Sequence, residues 1–213
     1  MTDATAEKTA GRQIASLDEL EELYDAPIQR SLIKELDRLN AHYRMFVEKA
    51  PFVVVATSGP DGLDCSPRGD PPGFVRVIDD KTVMMPDRRG NNRLDSLRNL
   101  IADPRIALLF LIPGVGETLR INGRARIVVD DELNASFAIG GKPPRSVIAV
   151  TIDRIYYQCQ KALARSRLWE ADAQISRSLL PSAGQMNKTF HDGEFDAEAF
   201  DREYPQRMKD TMY

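Results

Sequence analysis

The apolar residues of this chain change period at Pro51: before it they recur at helical spacing, and beyond it they run together or alternate. Ser16-Leu17-Asp18-Glu19 has the form of a capping box, with Leu17, Leu20, Leu23 and Tyr24 following at helical intervals. After Asp25-Ala26-Pro27, a stripe of Ile28, Leu32, Leu36, Leu39, Tyr43 and Phe46-Val47 predicts a second, longer helix. Residues 16–50 therefore read as N-terminal helices, and residues 1–15 are expected to be disordered. His42 falls inside the longer helix, where a packing or surface role is the plain reading.

Phe52-Val53-Val54-Val55-Ala56 is β-branched and apolar throughout, the pattern of a strand buried on both faces. Gly59-Pro60-Asp61-Gly62 signals a hairpin, and Leu63–Pro67 a second strand. The glycine- and proline-rich stretch 68–73 leads to expected strands over Phe74–Ile78 and Thr82–Met85. A helix with Leu94, Leu97, Leu100 and Ile101 on one face ends at Asp103-Pro104, and Arg105–Ile112 follows as a core strand. In Leu119–Val129 alternation is nearly complete. Leu119, Ile121, Ala125, Ile127 and Val129 share one face, and Arg120, Asn122, Arg124 and Arg126 the other. A short helix near Asp131–Phe137 precedes a long last strand, Val147–Tyr157. Short strands, tight turns and a single helical crossing predict a mainly β fold with flanking helices, an antiparallel closed barrel rather than a doubly wound sheet.

Helical material closes the chain. Gln158, Lys161, Arg165 and Trp169 fit one helix face, either a site or a solvated face with one aromatic anchor. Beyond Leu179, Pro181–Gln185 reads as a loop, and Phe200 and Tyr204 mark a further helix that Pro205 limits or bends. With no repeat or low-complexity linker, one domain is expected, with residues 176–213 a tail whose helix packs on the barrel.

The 213 residues carry a net charge of −3, so there is no basic excess for nucleic acid. No apolar run approaches a membrane span, and the polar, acidic N-terminus is unlike a secretory signal, so a cytoplasmic protein is expected. Two cysteines, Cys65 and Cys159, and two histidines, His42 and His191, do not make a common protein-ligated metal centre or a disulfide framework. Neither a Ser-His-Asp set nor a nucleophile is assigned, since Cys65, although beside Arg68, reads as a spectator thiol.

The most informative segment is Met85-Pro86-Asp87-Arg88-Arg89-Gly90-Asn91-Asn92-Arg93, which runs into the helix at 94. A helix N-terminus offers unpaired N–H groups and partial positive charge, arginine offers a planar fork, and Gly90 is able to take a positive φ. Those features suit a phosphate-bearing ligand; the alternative is a solvated basic turn.

Four ordered pieces, Ser66–Asp70, Pro86–Arg93, Thr118–Gly123 and Cys159–Trp169, resemble the pyridoxamine 5′-phosphate oxidase-like superfamily of FMN-binding split barrels. The likeness spans roughly residues 45–175, and within the superfamily it is to FMN-dependent bacterial proteins of uncharacterised activity. The resemblance implies an antiparallel six-stranded split β-barrel over residues 51–175 and a homodimer with FMN at its interface. Arg88, Asn91, Asn92 and Arg93 would hold the phosphate or ribityl chain, with Ser66 and Arg68 beside them. Met84, Pro86 and Asp87 would border the flavin ring, and Lys161, Arg165 and Trp169 would reach it from the second chain. The oxidase's Arg-x-x-Leu-Leu-Lys strand is replaced here by Asp70–Arg76, and its substrate-phosphate residues have no counterpart near the C-terminus. The implied function is an FMN flavoprotein passing hydride between FMN and a small organic substrate or NAD(P)H. The alternatives are a flavin-binding module without turnover, or use of F420 or haem.

Overall fold

The computed structural model describes residues 11–191 and 194–213. The chain divides into two units between Lys34 and Glu35. The expectation of disorder over 1–15 lies, for residues 1–10, outside the described residues; Gly11–Ala15 form no helix or strand. In the first unit α1 spans Leu17–Glu21 and α2 spans Gln29–Leu32. The Ser16 hydroxyl caps the Glu19 N–H at 3.2 Å. The Glu19 carboxylate accepts from the Ala15 N–H and from Arg12, at 2.8 and 2.7 Å.

The single helix expected from Ile28 to Val47 is broken. Leu36 exchanges backbone hydrogen bonds with Ile155, at 2.9 and 2.8 Å, which requires an extended backbone there. Asn40 then starts a new helix, α3 (Ala41–Lys49), its side chain accepting the Tyr43 N–H at 2.8 Å. Apolar spacing alone does not register an Asn that prefers to cap.

Seven strands follow: β1 (Phe52–Gly59), β2 (Gly62–Gly69), β3 (Arg76–Val77), β4 (Thr82–Asp87), β5 (Arg105–Leu111), β6 (Thr118–Val128) and β7 (Ser146–Gln158). They form one antiparallel sheet in the order β2-β1-β5-β6-β7-β4-β3. The expected closed six-stranded barrel is thus corrected. A seventh, two-residue strand is present, and the edge strands β2 and β3 do not pair with each other. The physical reason lies in their connection. Pro71 and Pro72 cannot donate to a ladder, and Ile78 N–H turns back to the Thr82 carbonyl at 2.9 Å, which ends β3.

Inward positions of the sheet make a single core. Val53, Val55, Leu108, Phe110, Leu119, Ile121, Val150 and Ile155 meet Tyr43 and Val47 of α3 and Leu100 of α4 (Asp95–Ala102). β1 is buried on one face and half-buried on the other rather than buried on both. The alternation expected in β6 is present, except that Val129 lies past the strand and is exposed. A bulge between Asn122 and Gly123 re-registers β6 on β7, and a Cβ at Gly123 would collide with the Thr151 carbonyl.

α5 (Asp131–Ser136) precedes β7, and α6 covers only Lys161–Ser166. Arg167 stops α6 in the left-handed conformation, φ 53°. The expected helix face reaching Trp169 is therefore cut short. The stretch read as a loop at 181–185 holds a complete capping box, in which Ser182 and Gln185 start α7 (Ala183–Lys188). α8 (Ala197–Thr211) contains Pro205 and packs against α7, where the Asp201 carboxylate accepts the Gly184 N–H at 2.7 Å. Among the described residues no helix is long and apolar enough to cross a membrane.

Candidate functional site

β2 is an edge strand with a polar inner side. Period-two alternation puts Asp64, Ser66 and Arg68 on its half-buried face and leaves Leu63, Cys65 and Pro67 exposed. The first turn of α4 meets that face. Ser66 Oγ donates to Asp64 Oδ1 at 2.9 Å and Ser96 Oγ to Asp64 Oδ2 at 2.5 Å. Arg68 Nη2 donates to Ser96 Oγ at 3.1 Å, and Nη1 to the Pro67 carbonyl at 2.9 Å. Two hydroxyls thus occupy the Asp64 carboxylate, and a hydroxyl rather than a carboxylate meets the Arg68 guanidinium.

The 88–94 loop closes on the same place. Positive φ falls on Asn92 (59°) and Leu94 (62°), not on Gly90, so the turn is bent by residues that tolerate the left-handed region less well. Asn91 Oδ1 accepts the Arg93 N–H at 3.0 Å, and Arg93 Nε donates to Asp95 Oδ2 at 2.8 Å. The Arg93 charge is supported by Asp95 and, more weakly, by Asp64, which raise its pKa further. Leu94, the N-cap position of α4, provides no side-chain cap, so the first-turn N–H groups are left to other acceptors. Burial pushes the Asp87 carboxyl up, and the neighbouring Arg68 charge pulls it back.

Arg88 belongs to a different cluster. Its Nε donates to Asp70 Oδ2 at 2.6 Å and its Nη1 to the Phe137 carbonyl at 2.8 Å. Arg76, close by, lies 3.6 Å from the centre of the Phe137 ring and bonds to Ser136. These groups line a cavity of about 190 Å³ with Pro71, Pro72, Phe74 and Ile139. That is smaller than the roughly 300–1,000 Å³ of a drug-sized ligand pocket, so no whole flavin fits there.

The structure accordingly gathers Ser66, Arg68, Asp87, Asn91 and Arg93 around the start of α4, with Asn92 in the bend between them. It sends Arg88 to the Asp70 cavity. Met84 and Pro86 lie in β4 opposite Ala149 and Val147 of β7. Lys161 and Arg165 are on α6, and Trp169 Nε1 donates to the Val115 carbonyl at 2.8 Å. Asp64 and Ser96 were missed by sequence reasoning, although polar residues at 64, 66 and 68 of one strand are a readable signal. Asp70 carried no such signal, because its partners Arg88 and Tyr213 are distant in sequence.

An open antiparallel sheet with helix α4 crossing onto β1 and β2 defines the structural class, and the sequence match agrees with it. Residues 39–159, more than half the chain, match the family model for pyridoxamine 5′-phosphate oxidase, and the chain belongs to that family. Among solved structures it is similar to HupZ from Group A Streptococcus, at 18% identity over 57% of this chain and 94% of that one, TM-score 0.45. A putative pyridoxamine 5′-phosphate oxidase from Lactobacillus delbrueckii aligns at 19% identity over 58% and 98% of the chains, TM-score 0.42. A Clostridium acetobutylicum protein related to general stress protein 26 aligns at 16% identity over 55% and 86%, TM-score 0.44. No curated protein matches the chain.

Proposed function

We propose that the protein is an FMN-binding oxidoreductase that acts as a homodimer on a small organic substrate or a reduced nicotinamide. The observation that carries this reading is the start of α4: an uncapped N-terminus flanked by Arg68 and Arg93. A flavin phosphate is a dianion, and two guanidinium groups with free helix N–H groups are the donors it requires. Ser66, Asn91 and Asn92 add neutral polar groups within the same loop and strand. Arg88, committed to Asp70 and Phe137, serves this site by fixing where the loop leaves β4. Met84, Pro86 and Asp87 border the ring through their backbone. Lys161, Arg165 and Trp169 of the second copy complete the site.

Bound FMN supplies the hydride chemistry, while the chain supplies phosphate anchoring, ring orientation and local charge. The test is the visible spectrum of the purified protein, followed by anaerobic mixing with NADPH. Oxidised-flavin absorbance that bleaches catalytically is the expected result. Colourless protein that takes up no added FMN would overturn the reading, and flavin that binds but never turns over would leave a carrier instead of an enzyme.

A further inference from the structure

We propose that the cavity beside Asp70 is a binding site for a small organic carboxylate with an apolar body, held by Arg76 and Arg88. The two guanidinium groups reach it from different elements: Arg76 stands in β3 opposite Met84, and Arg88 follows the last residue of β4. Both line the cavity, and Asp70 is the one carboxylate that lines it with them. That carboxylate is already occupied, with Oδ2 accepting from Arg88 Nε at 2.6 Å and Oδ1 from the Tyr213 hydroxyl at 3.0 Å. Its charge is matched by Arg88. Arg76 forms no ion pair among the described residues; its Nη1 donates to the Ser136 hydroxyl at 2.8 Å and its Nη2 to the Ser136 carbonyl at 2.5 Å. Arg88 Nη1 likewise donates to the Phe137 carbonyl at 2.8 Å. Neutral oxygens at the end of α5 take these hydrogen bonds without cancelling charge. The cavity lining therefore carries two cations and one anion.

A half-buried charge without a counter-ion is costly, and an anion arriving in the cavity offsets that cost. Burial first, and then the nearby Arg88 charge, disfavour the Arg76 cation. Arginine stays protonated regardless, so the charge remains to be matched. Donors remain as well: Arg76 Nε and Arg88 Nη2 have no acceptor among the described residues. Guanidinium N–H groups of this kind bind a carboxylate through charge-assisted hydrogen bonds. The remaining walls decide what the anion must carry. Pro71, Pro72, Phe74 and Ile139 are apolar, and the Phe137 ring is fixed by the Arg76 guanidinium 3.6 Å from its centre. Such walls pack an alkyl or aryl body and give a fully polar anion nothing in exchange for its water. With a volume of about 190 Å³, the cavity admits a single ring or a short chain. Binding here requires no flavin and stands apart from the phosphate site proposed at the start of α4.

The experiment is a fluorine NMR titration of the full chain with 4-fluorobenzoate, and with 4-fluorobenzyl alcohol as the neutral probe of similar shape. Wild type should bind the carboxylate about tenfold or more tighter than the alcohol, the worth of a charge-assisted contact. R76Q, which keeps a polar side chain near Ser136 but removes the charge, should erase most of that preference. A merely structural Arg76 would leave the ratio of the two affinities unchanged. Neither inorganic phosphate nor FMN at equal concentration should displace 4-fluorobenzoate. Equal affinity for the two probes, an unchanged ratio in folded R76Q, or displacement by phosphate or FMN overturns the proposal. If R76Q loses its folded circular dichroism, A138E decides, because Ala138 lines the cavity at an exposed position and a carboxylate there competes with the ligand. Lost 4-fluorobenzoate binding in A138E supports the site, and unchanged binding refutes it.

Discussion

The Asp70–Arg88 ion pair joins the loops that follow β2 and β4 and is largely out of water. Removing the cation leaves a carboxylate that is 2% exposed without its partner, so R88A should lose about 3 kcal/mol, read as a shift in urea midpoint. The proposed phosphate residues behave differently because Arg93 is largely exposed, with 73% of its side chain accessible. R93A and R68A should fold normally and bind FMN ~10–150-fold more weakly by calorimetry, the worth of one charge-assisted contact. Wild-type affinity in both would refute the phosphate site. Asp87 gives a pH prediction. Its carboxyl is raised above 3.8 by burial, so it binds its proton more tightly folded than unfolded. Its contribution is complete below that value and is lost as pH rises through the raised one. D87N removes this loss, so its stability relative to wild type should improve as pH rises above about 4 in paired denaturation curves. A constant difference would mean Asp87 does not titrate differently on folding.

At the scale of elements, β6 and β7 carry the middle of the sheet, and their register depends on the bulge at Gly123. G123A forces a methyl group against the Thr151 carbonyl and should cost about 3 kcal/mol, measured by chemical denaturation. The main strands were legible before folding: β1, β5 and β7 as apolar runs, β6 by alternation and β2 from the hairpin turn before it, and all five occupy nearly the expected residues, because strand signals of this kind are local. The helical stripe from Ile28 to Val47 misled for the opposite reason. Its spacing is correct for a helix, but Leu36 finds a strand partner in Ile155, and two backbone hydrogen bonds together with the Asn40 cap prevail over local propensity. The Lys161–Trp169 stripe failed similarly, once Arg167 left the helical region and Trp169 bonded to Val115.

For the whole molecule, the proposed homodimer predicts a solution mass twice the 23.9 kDa of the chain by light scattering when FMN is bound. It also predicts that Trp169, the chain's one tryptophan, loses emission on flavin binding. A monomer whose fluorescence ignores FMN would contradict the placement of the second copy's α6. The sequence by itself determined the succession of strands along the chain, the helix at 95–102 and the family, since each depends on neighbours along the chain or on ordered motifs. Only the tertiary structure decided that the edge strands β2 and β3 do not pair with each other. It also separated Arg88 from Arg68, which are drawn to carboxylate and hydroxyl partners on different elements. Pairings between groups as distant as Asp70 and Tyr213 depend on how the sheet brings the chain back on itself, and no local periodicity encodes that.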